Sequence, residues 1–414
     1  MTAPSRFTAV ARPQPNALFL QLVFAYVFLL SLAFGFESGL VKLLSGAFAF
    51  WIFAVMAVNA AFMASTAQGQ RRALGLSLLL PLLLYLLAMM VNLALNRGKM
   101  DMQEWSKFVL APLFLVFGYV FASRDSTPTW DSTLNRTLFW LLVLLPVLVW
   151  MVQLALGRTT LGGNQVLGPF VNRNNAALYY LCLIALFACL SGRRVGQAWI
   201  YLVVGIAFGT LGVLLAVVVS LLYAVGQRRN LGQLVVLALV GTGLVALLPD
   251  SFLAARIGPV VDSYRLLVDQ RIDLRTISYG DLVARLHTTD LSFIFRLKHW
   301  TDLLDIYAQG TVFQQLFGFG IGASQRLSQM RLVPHNDYVR VLFETGAFAF
   351  AGFATLLLVS LRQLGRRWEA VPFVAVCVYF FSENLLNNHV AMIIFFFSLG
   401  GLLYRSREPQ LAGR

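Results

Sequence analysis

The chain has little charge: 12% of its 414 residues are Asp, Glu, Lys or Arg, against 59% that are hydrophobic. Its mean hydropathy is +0.75. So few charges cannot cover a water-soluble domain, so a soluble oxidoreductase, a secreted disulfide scaffold and a disordered interaction protein are all excluded. Cysteine is scarce too. Cys182, Cys189 and Cys377 sit inside apolar runs with no CxxC or Cys/His spacing, which argues against a disulfide framework and a zinc site. No HExxH motif, magnesium-type carboxylate cluster or GxSxG elbow occurs, so neither metal nor cofactor is expected. Acidic residues are outnumbered, 18 against 32 basic ones. The bases fall in short clusters between apolar runs rather than in one stripe, so the charge reflects membrane topology and no nucleic-acid partner is expected. Internal repeats and low-complexity tracts are absent.

What the chain has in abundance is long apolar runs. Spanning roughly 30 Å of hydrocarbon takes about 20 residues of helix. Such runs cover Leu18 to Phe34, Gly46 to Met63, Ala73 to Leu95, Phe108 to Ala122, Thr137 to Leu156, Ala176 to Leu190, Ala198 to Val225, Leu231 to Leu248, Val341 to Leu361, Ala370 to Phe381 and Val390 to Leu403. No small-residue cleavage site follows the first, which is expected to be a retained helix. Arg71-Arg72, Arg124, Arg193-Arg194, Arg228-Arg229, Arg362 with Arg366-Arg367, and Arg405 with Arg407 can share the cytoplasmic side only if an even number of crossings separates each neighbouring pair. The run Ala198 to Val225 must then cross twice, breaking near Gly209, Thr210 and Gly212, for about twelve crossings in all. The expected fold is an all-α polytopic membrane protein. Its parts are an N-terminal transmembrane bundle over 1–248, a loop domain over 249–340 and C-terminal transmembrane helices over 341–414. By the same parity the connections Asn96 to Lys107, Gly157 to Asn175, Pro249 to Arg340 and Ser382 to His389 face away from the cytoplasm.

The third connection is long enough to need structure of its own. Within it Phe293, Leu297, Trp300, Leu304 and Tyr307 recur at helical spacing, which predicts an amphipathic helix at the membrane face. Its basic residues, Arg265, Arg296 and Arg331 among them, run against the positive-inside bias, so a phosphorylated ligand is expected to favour them there. The alternating glycines Gly318, Gly320 and Gly322 allow a sharp turn or a close backbone approach. No strand precedes them, which rules out a dinucleotide loop. Pro334 favours a first helical turn and so places His335 at the start of a transmembrane helix. A helix N-terminus disfavours imidazolium and leaves the ring free to accept a proton. Asn336, Arg340 and Glu344 share a face at four-residue spacing, and a carboxylate in a membrane helix needs a partner, so Glu344 is expected to bond Arg340 or a neighbouring helix. Glu344 and Glu383 are the main charges expected within the membrane, fewer than a proton-coupled lipid or ion transporter carries.

Taken in order, Arg296-x-x-x-Trp300, Gly318-x-Gly320-x-Gly322 and His335-Asn336 running into Glu344-Thr345-Gly346 resemble the signature of the O-antigen ligase and O-antigen polymerase superfamily. Upstream, Gly168-Pro169-Phe170 with Asn172, Asn174 and Asn175 is similar to another stretch of that family, so the likeness covers about residues 160 to 350. One departure stands out: Thr210-Leu211-Gly212 replaces the Ser-Arg-Gly of many members, and Arg158 or Arg173 would have to substitute for the missing arginine. The resemblance implies a glycosyltransferase-C-like enzyme of the bacterial inner membrane with a long periplasmic helical loop and its active site on the periplasmic face. Such an enzyme takes a glycan from undecaprenyl pyrophosphate. A ligase passes it to the lipid A-core oligosaccharide, a polymerase to another lipid-linked unit, and a protein O-oligosaccharyltransferase to a protein. Under this resemblance His335 is the base and Arg296 meets the donor phosphate. Arg265, Asn336, Arg340, Arg158, Arg173, Trp300, Gly318 and Gly320 are expected to bind substrate. The expected partners are the undecaprenyl-pyrophosphate-linked glycan donor, the lipid A-core acceptor and membrane lipids. A single large outer connection favours ligase over polymerase.

Overall fold

Hydrocarbon offers the backbone no hydrogen-bond partner, so apolar runs of this length satisfy their own amides as helices. The computed structural model describes residues 15–35, 39–64, 75–124, 132–155, 170, 173–191, 211–228, 252–286, 292–365 and 370–412. Their regular structure is helical: α1 (Pro15–Gly35), α2 (Gly39–Ala64), α3 (Leu76–Asn96), α4 (Met102–Arg124), α5 (Thr133–Ala155), α6 (Arg173–Ser191), α7 (Leu211–Arg228), α8 (Phe252–Asp269), α9 (Tyr279–Leu286), α10 (Ser292–Ala308), α11 (Val312–Phe317), α12 (Ala323–Leu327), α13 (Asp337–Leu364), α14 (Ala370–Tyr379) and α15 (His389–Ala412). Among the described residues, five stretches are long and apolar enough to cross a membrane: Leu76–Lys99, Met102–Ser123, Asn174–Ser191, Asp337–Leu364 and His389–Arg407. The expected crossing Leu231 to Leu248 and the first half of Ala198 to Val225 lie outside the described residues.

Exposure shows which faces meet lipid. On α3, Leu76, Leu80, Leu83, Leu87 and Val91 are exposed, while Leu78, Leu82, Tyr85, Met89 and Asn92 are buried. An exposed leucine stripe at helical spacing is unfavourable in water and well solvated by acyl chains. At the other extreme, 94% of the apolar window of α15 is buried, against 39% for α3, which makes α15 the centre of the bundle. It packs along α4, α6 and α13. The closest crossing is with α4, where a Cβ on Gly118 would lie 1.8 Å from the Phe397 carbonyl oxygen and one on Gly400 2.0 Å from that of Leu115. Small residues at such a crossing let two membrane helices gain contact that lipid does not provide.

Prolines inside α4 and α5 each free a carbonyl that a neighbouring helix takes up. Pro112 has no N–H for the Phe108 carbonyl, which instead accepts from the Tyr85 hydroxyl at 3.0 Å. Pro146 likewise leaves the Leu142 carbonyl, which accepts from the Tyr179 hydroxyl at 2.8 Å. Each bond replaces a lost ladder bond where no water is available, and together they set α3 on α4 and α6 on α5.

The described parts of four connections meet at one end of the bundle. The Asp101 amide donates to the Ile321 carbonyl at 3.3 Å, and that of Asp337 to the Phe380 carbonyl at 2.8 Å. Tyr379 and Asn388 donate to the Asn174 and Asn175 carbonyls at the head of α6. Gly212, in the first turn of α7, lies against Ser382 and Tyr379, so α6 and α7 both begin at this end. The opposite end carries Arg407 beside Tyr119 and Ser77, and Tyr223 bonded to the Gly365 carbonyl.

Candidate functional site

Leu282 and Ile294 form a small core with residues of α8, α9 and α10, whereas Leu303, Ala323 and Phe343 join α10 and α12 to α13. The apolar stripe expected on α10 is half-buried to exposed, and the face buried in the protein lies beside it. Ile294, Lys298, His299 and Leu303 are buried, and Leu304 is 42% exposed. Polar anchors set this rotation. Lys298 pairs with Asp302 at 2.6 Å and lies over the Tyr279 ring, whose hydroxyl donates to the same carboxylate. Burial, with that bond to Asp302, raises the Tyr279 hydroxyl above its ordinary pKa. His299 donates from Nε2 to the Leu332 carbonyl at 3.0 Å, and Trp300 donates from Nε1 to the Pro334 carbonyl. Burial holds His299 below the ordinary imidazole value, outweighing the opposing effects of the Leu332 carbonyl and Asp302. Trp300 therefore grips the segment leading into His335.

His335 is not within the first helical turn. Asn336 is the N-cap of α13, its Oδ1 accepting from the Val339 amide at 3.1 Å, and His335 precedes it with φ of +48°. The cap takes up one of the helix-end amides that have no partner within the helix. His335 occupies a left-handed conformation that costs an L-residue about 1–2 kcal/mol, and its neighbours hold it there.

From this position His335 Nδ1 lies 3.1 Å from Glu383 Oε2. Arg296 reaches the same carboxylate from α10, with Nη2 3.2 Å from Oε1, and donates from Nη1 to the Ser382 carbonyl at 2.9 Å. The Glu383 side chain is 7% exposed, whereas those of His335 and Arg296 are 36% and 32% exposed. The arrangement is thus an imidazole and a guanidinium, both accessible, held on one enclosed carboxylate. It can accept a proton and meet an anion side by side.

Arg340 and Glu344 pair as their spacing requires, Nε to Oε2 at 3.0 Å. Arg340 is 1% exposed, lies over the Phe108 ring, bonds Asn387 and stands 3.8 Å from Glu104. Glu344 Oε1 accepts from the Ser324 hydroxyl at 2.6 Å. Asp337, absent from the expected site, accepts from the Leu385 and Leu386 amides at 2.6 and 3.0 Å and so holds the 380–388 connection against α13. More charge is enclosed than the sequence suggested: Lys107, Asp337 and Arg340 are buried along with Glu344 and Glu383. Asp337 and Arg340 lie in the first turn of α13, Lys107 and Glu344 further along α4 and α13, and Glu383 in the connection after α14.

The glycines act through backbone. α13 breaks at Gly346 (φ 85°, ψ 173°), which frees the Phe343 and Glu344 carbonyls. The Phe319 and Gly320 amides take them up at 3.1 and 3.0 Å, and Asn92 Nδ2 adds a second bond to the Glu344 carbonyl. Gly318 crosses Gly346 so closely that a Cβ on Gly346 would lie 2.4 Å from the Gly318 nitrogen. Gly346→Ala is expected to lower the yield of folded protein sharply, with backbone strain alone of order 1–3 kcal/mol and the collision added to it. Gly46→Ala is the control, since nothing lies within 4 Å of its Cβ. Equal yields of the two in detergent gel filtration would show that the crossing is not needed.

Of the other expected substrate-binding residues, Arg265 is exposed on α8, Arg173 is the first residue of α6, and Arg158 lies outside the described residues. Glu383 was legible only as a carboxylate flanked by apolar runs, a signal that names no partner. Comparison with protein-family models and with curated proteins finds no match to this chain.

Proposed function

We propose that the chain is a glycosyltransferase that moves an O-antigen glycan from undecaprenyl pyrophosphate to a hydroxyl of the lipid A-core oligosaccharide, at the periplasmic face of the bacterial inner membrane. The observation that supports this is the meeting of Arg296 and His335, brought from α10 and the head of α13 onto Glu383. As the acceptor oxygen attacks the anomeric carbon, its proton passes to His335 Nε2. The bond from that carbon to the pyrophosphate oxygen breaks, and its electron pair leaves with undecaprenyl pyrophosphate. Arg296 meets the charge that grows on the departing group, a task suited to a planar guanidinium. Direct attack inverts the anomeric centre. Leu211, where related sequences carry an arginine, opens the helix whose first turn lies against Ser382, so Arg296 takes a larger share of the phosphate charge here.

The test is the lipopolysaccharide of a deletion strain. Lipid-linked polymer accumulating beside unmodified core is expected. Core carrying a single repeat unit would instead mean a polymerase, and unchanged lipopolysaccharide would overturn both.

A further inference from the structure

We propose that Glu383 is the positioning residue of this site, one carboxylate whose two oxygens orient the base and the phosphate-binding cation together. The inference rests on the glycosyl-transfer reading above and extends it to a residue on the connection between α14 and α15.

The chemistry follows from which atoms can donate. An ionised carboxylate only accepts, so the contact from Glu383 Oε2 to His335 Nδ1 at 3.1 Å requires the proton on Nδ1. In neutral imidazole that leaves the lone pair on Nε2, the form that can take a proton from an acceptor hydroxyl. The other oxygen, Oε1, holds Arg296 Nη2 at 3.2 Å, and the neighbouring Ser382 carbonyl holds Nη1 at 2.9 Å. The guanidinium is thereby held on the same carboxylate as the imidazole. Glu383 is itself held in place, because Asp337 accepts from the Leu385 and Leu386 amides and pins the connection to α13. With its side chain 7% exposed, the carboxylate is shielded from substrate and acts through the two more exposed groups.

Glutamine cannot replace it. An amide has one oxygen and one NH2. If the oxygen faces His335, the NH2 confronts the Arg296 guanidinium; if the oxygen faces Arg296, the NH2 donates to Nδ1 and shifts the ring proton to Nε2, where it blocks the base. Either orientation breaks one half of the site.

The experiment uses the purified full-length chain in lipid nanodiscs, with undecaprenyl-pyrophosphate-linked O-antigen as donor and lipopolysaccharide lacking O-antigen as acceptor. Folded yield is checked by gel filtration. Glu383→Gln is expected to lower kcat roughly 10²-fold, the lower end of what a positioned base contributes, and to raise the KM for donor but not for acceptor. Glu383→Asp, which keeps both oxygens and the charge, should recover a large part of kcat. In a His335→Gln background the further change Glu383→Gln should cost clearly less kcat than in the wild-type background, because one of the two groups it orients is gone, while the rise in donor KM through Arg296 should persist. Wild-type kcat and donor KM in Glu383→Gln would overturn the proposal, as would an equal loss of kcat in both backgrounds. Should Glu383→Gln not fold, Glu383→Asp with no more activity than Glu383→Ala decides against it. A donor-free readout keeps the two readings apart: carbethoxylation of His335 by diethyl pyrocarbonate, followed by mass spectrometry, should slow severalfold in Glu383→Gln. Absence of transfer by the wild-type chain would sink the glycosyl-transfer reading; a carbethoxylation rate unchanged in both Glu383→Gln and Glu383→Ala would sink the role of Glu383.

Discussion

His335→Ala should lower glycan transfer by roughly 10²- to 10⁴-fold, the range a positioned general base contributes. The residue is partly exposed, follows the segment gripped by Trp300 and immediately precedes the Asn336 cap. Its loss leaves Glu383 still paired with Arg296, so the fold should survive. Two further variants separate chemistry from backbone. His335→Asn suits the left-handed conformation at φ +48°, since asparagine tolerates that region better than alanine, yet it cannot accept the proton; it should fold at least as well as the alanine variant and transfer as poorly. His335→Gln can hold an acceptor hydroxyl by hydrogen bonding without taking its proton. Single-turnover transfer in each variant checks the expectation. Near wild-type rates in His335→Gln would reduce the residue to orienting the acceptor and would send the search for a base elsewhere.

Arg340→Met should destabilise the protein by about 3–5 kcal/mol, the usual result of removing one partner from a buried ion pair. Arg340 is 1% exposed and carries the charge that faces Glu344, 0% exposed, and Glu104. Without the guanidinium, Glu344 would keep the Ser324 hydroxyl but no cation. Adding Glu344→Gln removes the stranded charge, so Arg340→Met with Glu344→Gln should regain most of the loss, as measured by thermal unfolding in micelles. If the double variant is no more stable than Arg340→Met alone, stranded charge is not the cause. A double variant that is stable but shows a raised donor KM would instead give Arg340 the substrate-binding role expected from its position in the motif.

Several features of the candidate site were readable along the chain. The spacing of Arg340 and Glu344 predicted their bond, and the glycines at 318 and 320 marked a close backbone approach. His335 was placed near the head of a membrane helix, though Asn336, not Pro334, sets where that helix begins. Periodicity marked α10 as an amphipathic helix, but the bonds of Lys298 with Asp302 and of His299 and Trp300 with the 332–334 segment could not be read from it. Periodicity averages hydrophobicity around a helix and cannot name specific polar bonds.

The sequence by itself determined that the apolar runs are helices, because that follows from backbone self-satisfaction; which face of α3 is buried was decided by packing, since leucines lie on both its buried and its exposed sides. At Pro112, Pro146 and Gly346 carbonyls lose their helical partners. Who repairs them was decided by tertiary structure alone: Tyr85, Tyr179 and the Phe319 and Gly320 amides come from other parts of the chain. The same holds for the joining of Arg296 and His335 on Glu383. A buried carboxylate must find donors, but its charge does not specify which ones. That choice belongs to the packing that brings the head of α13, the face of α10 and the connection after α14 within about 3 Å of one another, the distance at which hydrogen bonds form.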